Sequence, residues 1–384
     1  AFLRASRAMS GRADVLAYRE NLTEQMATLR EQILTESVPF GGYRQFQVFD
    51  PKERLITVAP FWQRVLHHAI MLVCEPYLEN RLVPWTYACR KGKGRIAALD
   101  DAARHCRKYT WYLKLDIRKY FDSVPHDRLL ERLRGIFKDA ALLRLLEGII
   151  RSYGVVPGRG LPIGNLTSQH FANLYLDGLD RFIEGFASRE EQGCVRYMDD
   201  LVVFAANREI LVKMRAELRL YLPSRMGLEL KQERIGRVAN GVPFLGCTMY
   251  ERHRELNRRS RLRWVKRIGL LDRLLAESRL SEAQAQKRAM AMVAYAKTAC
   301  TLRFRQRALQ PHFRASAMDW TEPPTAASVA VAGTTTPTTP LLPTATTTTT
   351  RTTGTTTSDS VWPAAPEGTL DGELFPEPAA VPLR

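Results

Sequence analysis

The sequence predicts an α+β fold followed by a disordered C-terminal tail. Short stretches that alternate apolar and polar residues, such as WYLKLDI at 111–117, are typical of strands, and longer stretches with helical periodicity separate them. From about residue 321 the chain becomes rich in Thr and Pro and cannot bury enough apolar surface to fold. The remaining length and the 45% hydrophobic content suffice for more than one domain.

In the first part of the chain the patterns predict helices separated by turns and a hairpin. DPKE at 50–53 has the composition of a turn between two strands. The predicted elements are a polar helix over 13–36, two strands within 43–59, a helix over 62–82, a turn leading into a helix over 87–106, and a strand over 111–117.

The second part continues the mixed pattern and ends in basic helices. After Pro125 we expect a helix beginning at Asp127, whose side chain suits an N-cap. The further elements are a loop running into an amphipathic helix over 157–183, a hairpin around Tyr197, a helix then a strand over 209–231, a strand over 242–250, and Arg-rich helices over 257–315.

The formal net charge of +17 indicates a polyanionic partner. From Glu322 onward the chain carries six acidic and two basic residues, a net −4, so the preceding part carries +21. Such a body predicts binding to nucleic acid before membrane. The alternative is a merely arginine-rich composition without functional meaning, and composition alone leaves the two near even.

The cysteines and the apolar runs indicate the cellular environment. The six cysteines lie far apart without a C-x-x-C pair, so a zinc site is not expected and a reducing compartment is. No apolar run reaches membrane-spanning length, and the opening residues show no clear secretory signal. We therefore expect a soluble, cytoplasmic protein that does not bind membranes.

Carboxylates on two predicted strands form the candidate chemical site. Asp199 and Asp200 lie at the turn of the predicted hairpin RYMDDLVVFA, and Asp116 ends the strand WYLKLDI. Strands of one sheet can bring Asp116 beside Asp199, and such like charges are costly unless they share cations. Mg²⁺ prefers carboxylate oxygens and substrate phosphates, and two ions can clamp a phosphoryl transfer. A Tyr-x-Asp-Asp tetrapeptide alone is a weak signal.

The order of these motifs along the chain resembles reverse transcriptases, most closely those of diversity-generating retroelements. The segments that carry the resemblance are PKERLITVAPFWQRVLHHAI, YACRKGKG, LKLDIRKYFDSVPH, GLPIGNLTSQHFANLYLDGLD, YMDD, GLELKQERI and VPFLGCTMY, in this order over about 40–315. The resemblance implies a right-hand polymerase fold with fingers, an antiparallel palm sheet with helices, and a thumb. The implied divisions are an N-terminal helical extension 1–36, fingers and palm 37–250, a helical basic thumb 251–320 and a disordered tail 321–384.

The resemblance also implies roles for the residues of these motifs. Asp116, Asp199 and Asp200 would be catalytic and would bind two Mg²⁺ ions, with the Ile117 carbonyl as a further ligand. Phe121 takes the position of an aromatic that excludes the ribose 2′-hydroxyl. The other implied residues are Lys52, Arg54, Ile163 and Gly164 at the incoming nucleotide, and Ser168, Gln169, Phe244, Leu245 and Gly246 at the template and primer.

Two positions depart from wider patterns within this family. Ile163 stands where retroviral and group II intron enzymes usually carry Gln, and Ile is usual in the diversity-generating branch. The motif GLELKQERI lacks the usual terminal Lys, which leaves Lys231 and Arg234 as candidates for protonating the leaving pyrophosphate. Arg is a poor proton donor because its pKa is too high, so Lys231 is the candidate general acid. His67 and His68 have no acidic partner at metal spacing, and we expect a structural role.

The sequence thus predicts an RNA-directed DNA polymerase that binds an RNA template, a DNA or RNA primer and dNTPs. By resemblance it would be encoded by a bacterium or phage, work with a small helical accessory protein and copy an RNA template repeat with errors at adenines. The alternatives are a group II intron-type enzyme, disfavoured because no maturase or endonuclease segment follows the thumb, a defence-associated polymerase, and a catalytically dead RNA-binding module.

Overall fold

A computed structural model of the chain describes residues 1–7, 9–49, 53–188 and 191–309. The described chain divides into two compact units. The first comprises residues 1–267 and 296–305, and the second comprises 268–295 and 306–309 within the described range. The predicted tail at 321–384 lies outside the described residues, as does Lys52.

The described chain combines helices with antiparallel β-sheets, which agrees with the predicted α+β class. The helices are α1 Phe2–Ala5, α2 Ala13–Glu20, α3 Leu22–Leu34, α4 Phe61–Glu79, α5 Arg95–Lys108, α6 Tyr120–Ser123, α7 His126–Ile136, α8 Ala140–Arg151, α9 Leu166–Tyr175, α10 Asp177–Glu184, α11 Arg208–Tyr221, α12 Arg258–Ala276, α13 Glu282–Lys297 and α14 Leu302–Leu309. The strands are β1 Arg44–Val48, β2 Arg54–Val58, β3 Trp111–Ile117, β4 Gln192–Tyr197, β5 Asp200–Ala205, β6 Leu230–Arg237, β7 Val242–Phe244, β8 Cys247–Met249 and β9 Arg254–Leu256.

A four-stranded antiparallel sheet in the order β4-β5-β3-β6 lies at the centre of the first unit. On β3, Leu113, Leu115 and Ile117 are buried in the main hydrophobic core. Because successive strand residues point to opposite faces, Lys114 and Asp116 lie together on the other face. The alternation visible in WYLKLDI therefore places Asp116 away from the core.

The helices supply the apolar layer that covers the core face of this sheet. Burial of their apolar side chains is the main favourable term in folding the unit, at roughly 25 cal/mol per Å² of apolar surface. Helices α4, α7, α9 and α11 contribute, among others, Leu66, Ile70, Leu129, Leu133, Phe171, Leu174, Leu211, Met214 and Leu218. His67 is buried in α4 within 3.4 Å of Gln63, and burial lowers its pKa to about 3, which keeps the ring neutral.

Several predicted elements differ from the structure. The amphipathic helix expected to run to residue 183 is two helices, α9 and α10, and the strand expected to end at residue 231 is β6, Leu230–Arg237. The polar helix expected over 13–36 is broken at Asn21, whose φ of −109° and ψ of 31° are not helical. Helix α7 begins at His126 rather than at Asp127, which lies in the first turn and pairs with Arg151 at 2.7 Å instead of capping. The strand expected over 242–250 is two strands, β7 and β8, joined by a tight turn.

That turn has a local cause. Leu245 and Gly246 have φ values of 45° and 80°, a left-handed conformation that reverses the chain and that Gly adopts without strain. The hairpin predicted over 43–59 is confirmed as the antiparallel pair β1–β2.

The second unit consists of helical segments from the C-terminal part of the described chain. It contains the end of α12, most of α13 and the end of α14, so the described part of 257–315 is largely helical, as predicted. In the described residues no helix combines the length and apolar character needed to cross a membrane.

Candidate active site

The three predicted carboxylates come together at one end of the central sheet. Strands β4 and β5 form a hairpin whose turn holds Met198 and Asp199, with Met198 at a φ of 55°. Asp200 begins β5 and is the Cα partner of Asp116 on β3. Side chains of directly opposed residues lie on one face about 5 Å apart at Cβ. The predicted proximity of Asp116 to the Asp199-Asp200 pair is therefore what the register produces.

The pKa of Asp199 is shifted by burial and by neighbouring charges of both signs. Burial raises its pKa first, and the nearby Asp116 carboxylate raises it further. A hydrogen bond from its own backbone and the positive charges of Arg54 and Lys114 act in the opposite direction. Arg54, the exposed first residue of β2, therefore lies close enough to Asp199 to lower the pKa of that carboxyl.

Lys114 is the main feature of this face that the sequence analysis missed. Its ammonium forms an ion pair with Asp200 Oδ1 and lies 5.0 Å from the ring centre of Phe244. Burial lowers the pKa of Lys114 to about 7, while Asp116 and Asp199 raise it. The ion pair offsets the repulsion between the opposed carboxylates. Its position two residues before Asp116 was the available signal, since it sets both on one face.

Lys231, on β6, lies beside the Asp116 carboxylate. Asp116 is the Cα partner of Gln232 and Ile117 that of Leu230, so Lys231 is the extra residue of a β-bulge. Its Nζ lies 3.5 Å from Asp116 Oδ2. Further along β6, Arg234 is the Cα partner of Lys114 on β3. The geometry thus brings Lys231 to Asp116, and bulges commonly re-aim a side chain beside an active site.

The donor set fits a hard divalent cation at two carboxylates. Asp116 and Asp199 are partly exposed, and carboxylate and carbonyl oxygens are the ligands that Mg²⁺ prefers. Asp200 is engaged with Lys114. Among the described residues no group of three or more His, Cys, Asp or Glu side chains is arranged to hold a metal ion. The arrangement therefore suits metal binding by Asp116 and Asp199 more directly than by all three.

The loop that carries Ile163 and Gly164 packs against β2. The Thr57 amide donates to the Ile163 carbonyl at 2.8 Å. Gly164 has a φ of 118°, and a Cβ there would lie 3.1 Å from both Ile56 Cγ2 and the Thr57 oxygen. Glycine is needed here both for the backbone conformation and for the close approach of β2. The half-buried Ile163 side chain remains partly accessible.

Phe121 lies on α6 between this loop and the strand that carries Asp116. Its carbonyl accepts from the Leu161 amide at 2.8 Å, and its half-buried ring contacts Tyr120 edge-on at 5.7 Å between centroids. The ring is therefore held in place by packing while part of it stays accessible.

The predicted template and primer residues are not equally accessible. Ser168 is 2% exposed within α9, whereas Gln169 is half-buried and accepts from Cys89 Sγ at 3.2 Å. In the β7–β8 turn Phe244 is buried, and Arg95 donates to the Leu245 carbonyl at 3.0 Å. Of the Ser-Gln pair, Gln169 is thus the more accessible side chain.

A buried ion pair between Arg196 and Asp180 contacts the turn of the β4–β5 hairpin and was not expected from the sequence. Arg196 is completely buried and donates to Asp180 Oδ1 at 2.8 Å, to Asn173 Oδ1 at 3.1 Å and to the Met198 carbonyl at 3.1 Å. Burial raises the pKa of Asp180 to about 6, and the Arg196 guanidinium lowers it. An Arg inside the apolar strand CVRY was the available signal.

Comparison with known proteins yields one matching family model and a set of distant relatives. The model, described as reverse transcriptase (RNA-dependent DNA polymerase), matches residues 50–249. The chain is 28% identical over 154 residues to an uncharacterized 91 kDa protein in a cob intron of Schizosaccharomyces pombe, covering 38% of this chain and 18% of that protein. It is 24% identical over 280 residues to protein YkfC of Escherichia coli, covering 60% and 72% respectively.

Other similarities cover less or are weaker. Nuclear intron maturase 4 of Arabidopsis thaliana is 25% identical over 149 residues, 37% of this chain and 19% of the maturase. An apo telomerase structure from Candida tropicalis aligns with a TM-score of 0.47 and 12% identity over 77% of this chain and 63% of that one. The chain spans less than a fifth of the length of the S. pombe protein.

Proposed function

The chain belongs to the reverse transcriptase family, and from that membership we propose that it synthesises DNA on an RNA template by nucleotidyl transfer. The observation that carries the proposal is the closeness of Asp116 and Asp199 at one end of the sheet, with the bases Arg54, Lys114 and Lys231 acting on one or both of them. Carboxylates and bases that converge in this way suit the binding of metal ions and of a triphosphate.

Asp116 and Asp199, with the Ile117 carbonyl, would hold Mg²⁺, two ions in all as the resemblance implies, and Asp200 would complete the site. When bound, the ions supply charge stabilisation at the phosphoryl group. The protein's own part is to position the reactants. Asp116 lies on a strand whose next residue, Ile117, is buried, so the carboxylate is held by a rigid element.

The basic side chains would bind the triphosphate and supply a proton. Arg54, together with Lys52, would contact the phosphate oxygens through charge-assisted hydrogen bonds. Lys231 would hold the proton delivered to the leaving pyrophosphate, because its Nζ lies beside Asp116 and a Lys ammonium gives up a proton far more readily than Arg.

The template and primer would occupy surfaces at the loop and the turns around this site. Ile163 and Gly164 would face the nascent pair, Gln169 with Ser168 the template, and the Phe244–Gly246 turn the primer. The basic segment RRSRLRWVKR at 258–267 would bind the phosphates of the hybrid, and such binding weakens steeply with salt. The divisions that go with this proposal are fingers and palm over 37–250 and a thumb over 251–320.

Within the family, the diversity-generating type is the subclass that we propose. It is supported by Ile163 in place of Gln and by the Ser168-Gln169 pair. It implies a small helical accessory protein and an RNA template repeat copied with errors at adenines. A group II intron-type function is the second candidate, because the relatives of the chain include a protein in a cob intron and an intron maturase.

Primer extension with the purified protein tests the proposed activity. An RNA template with an annealed primer, Mg²⁺ and dNTPs should yield full-length DNA, because the two carboxylates and their bases are in place. Binding of the same RNA by the same protein is measured in parallel. RNA binding without any extension would contradict the proposal and favour a dead RNA-binding module.

Phe121→Ala should increase the use of ribonucleotides. Removing the ring opens space for a 2′-hydroxyl, and steric discrimination in a pocket amounts to about 10- to 200-fold. Extension is measured with NTPs alone and with dNTPs alone. Phe121→Tyr is the matched control, since it keeps the bulk and should still reject NTPs. If the Ala variant rejects NTPs as strongly as the parent, Phe121 does not limit the sugar.

Ile163→Gln should reduce misincorporation opposite template adenine more than opposite the other bases. Ile offers shape without hydrogen bonds, and apolar shape alone discriminates only modestly, whereas polar groups left unpaired enforce more. The adenine preference is taken from the resemblance. Sequencing of cDNA made on one template measures the error spectrum, with Ile163→Val as the control that adds no hydrogen bond. An unchanged ratio of adenine errors to other errors contradicts this role.

A further inference from the structure

A cavity of about 430 Å³ lies apart from the carboxylate site, and half of its lining residues are arginines. It is formed by α7, the end of α9 and the turn that follows α11. Its lining residues are Arg128, Glu131, Arg132, Tyr175, Ser224 and Arg225. We call it the arginine pocket. It shares no residue with the predicted catalytic, nucleotide or template set.

The arginine pocket has an excess of positive charge. Its lining contains three guanidinium groups and one carboxylate, that of Glu131. In the part of the chain that the structure describes, none of these three arginines forms an ion pair, and Arg128 Nη1 is buried without a hydrogen-bond partner. Arg159 adds a fourth charge nearby, donating to the Gly227 carbonyl at 3.0 Å. Uncompensated guanidinium groups of this kind suit an anionic ligand.

The pocket is built by an irregular backbone segment. Leu222–Met226 forms a π-helical turn, a rare conformation that is frequent at functional sites. The turn ends at Gly227 with a φ of 62°, where a Cβ would lie 3.2 Å from Pro125 Cγ and 3.3 Å from Arg128 Nη1. Arg128 also donates to the Ser224 carbonyl at 3.2 Å. These contacts hold the turn against α7 and keep the pocket formed.

The chemistry of the lining favours a phosphate over a base. The Tyr175 ring is 1% exposed and is covered by the Arg132 guanidinium at 5.4 Å, so it offers no face for base stacking. Arginine binds phosphate oxygens through its planar set of donors. The Glu131 carboxylate is exposed and can accept a hydrogen bond from a ribose 2′-hydroxyl, the group that distinguishes RNA from DNA.

We propose that the arginine pocket binds a backbone phosphate of the RNA, outside the polymerase site. The inference rests on the proposed function to the extent that an enzyme that copies RNA must hold RNA. Its contacts are to phosphate and sugar, so binding is independent of base sequence. The pocket would anchor a part of the RNA that is not being copied.

The double variant Arg132→Gln/Arg225→Gln tests the proposal through RNA affinity and its salt dependence. Affinity for a long single-stranded RNA should fall on the order of 10-fold, and the slope of log affinity against log salt should become shallower by about 1 to 2, because up to two phosphate contacts are lost. The matched control is Arg107→Gln, an exposed arginine of α5 outside the pocket, which should change both quantities less.

A second arm separates this site from the polymerase site. Extension of a primer on a template just long enough to accept it should remain at the parent's level in the double variant. If the parent itself does not extend, the proposed activity fails while the affinity measurement still stands. Affinity and slope equal to those of Arg107→Gln would overturn the proposal. If the double variant loses short-template extension and circular dichroism shows that it is unfolded, the single variant Arg225→Gln takes its place. Arg225 is exposed, so this variant should fold and should lower RNA affinity alone.

A third arm identifies the ligand. Single-stranded DNA of the same sequence should bind more weakly than RNA, and Glu131→Ala, which removes the hydrogen-bond acceptor, should reduce that preference. In buffer without Mg²⁺, millimolar dNTP should leave the RNA affinity of the protein largely unchanged. If dNTP displaces RNA from the parent but not from the double variant, the assignment to RNA is overturned. The pocket is then a nucleotide site.

Discussion

Replacing Asp199 with Asn should abolish primer extension while RNA binding survives. Asn keeps the size of the side chain but removes the charge that a divalent cation requires. The Asp199 carboxylate is partly buried beside Asp116, where a metal ion is the natural compensation for two like charges. Removing one member of a group that acts as a unit typically costs at least about 10³-fold in rate. Single-turnover extension on an RNA template measures the loss.

Asp139→Asn is the matched control for this experiment. Asp139 is an exposed N-cap of α8 whose side chain accepts from the Leu142 amide at 2.7 Å. Asn caps a helix as well as Asp does, so the same neutralising change should leave extension and folding intact. Equal thermal transitions for the three proteins exclude a folding defect. Extension by the Asp199 variant at the parent's rate would sink the assignment of this site.

Replacing Arg196 with Met should destabilise the protein by about 3–5 kcal/mol, because it leaves the Asp180 carboxylate buried without its counter-charge. The variant also removes the donor to the Met198 carbonyl, at the turn that precedes Asp199. We therefore expect loss of stability together with loss of extension. Chemical denaturation of the parent and the variant measures the free energy of unfolding.

Arg181→Met is the control for the buried pair. Arg181 is 53% exposed and pairs with Asp177 and Glu184, and exposed pairs contribute at most about 1 kcal/mol. The double variant Arg196→Met/Asp180→Leu should recover part of the lost stability, since neither charge then remains buried alone. A loss below that of Arg181→Met would show that Arg196 is not needed to hold the hairpin.

The sequence alone was sufficient for the elements whose local pattern and tertiary role agree. The alternation in WYLKLDI is the pattern of a strand with one buried face, and β3 is such a strand. The DPKE turn lies between two β-type stretches, and β1 and β2 form the predicted hairpin. Local patterns failed where one residue changes the path of the chain, as at Asn21 and at Leu245.

Periodicity and the order of motifs thus determined the α+β class, the chain positions of Asp116, Asp199 and Asp200, and the family. Those features are encoded in neighbouring residues. The tertiary structure decided which side chains surround the carboxylates. Lys114 meets Asp200 through the β3–β5 register, and Lys231 reaches Asp116 through the bulge in β6. Arg196 meets Asp180 across an interface between a strand and a helix. These pairings join residues that are distant in sequence. The sequence around a charged residue does not indicate which partner the packing of the chain will bring to it.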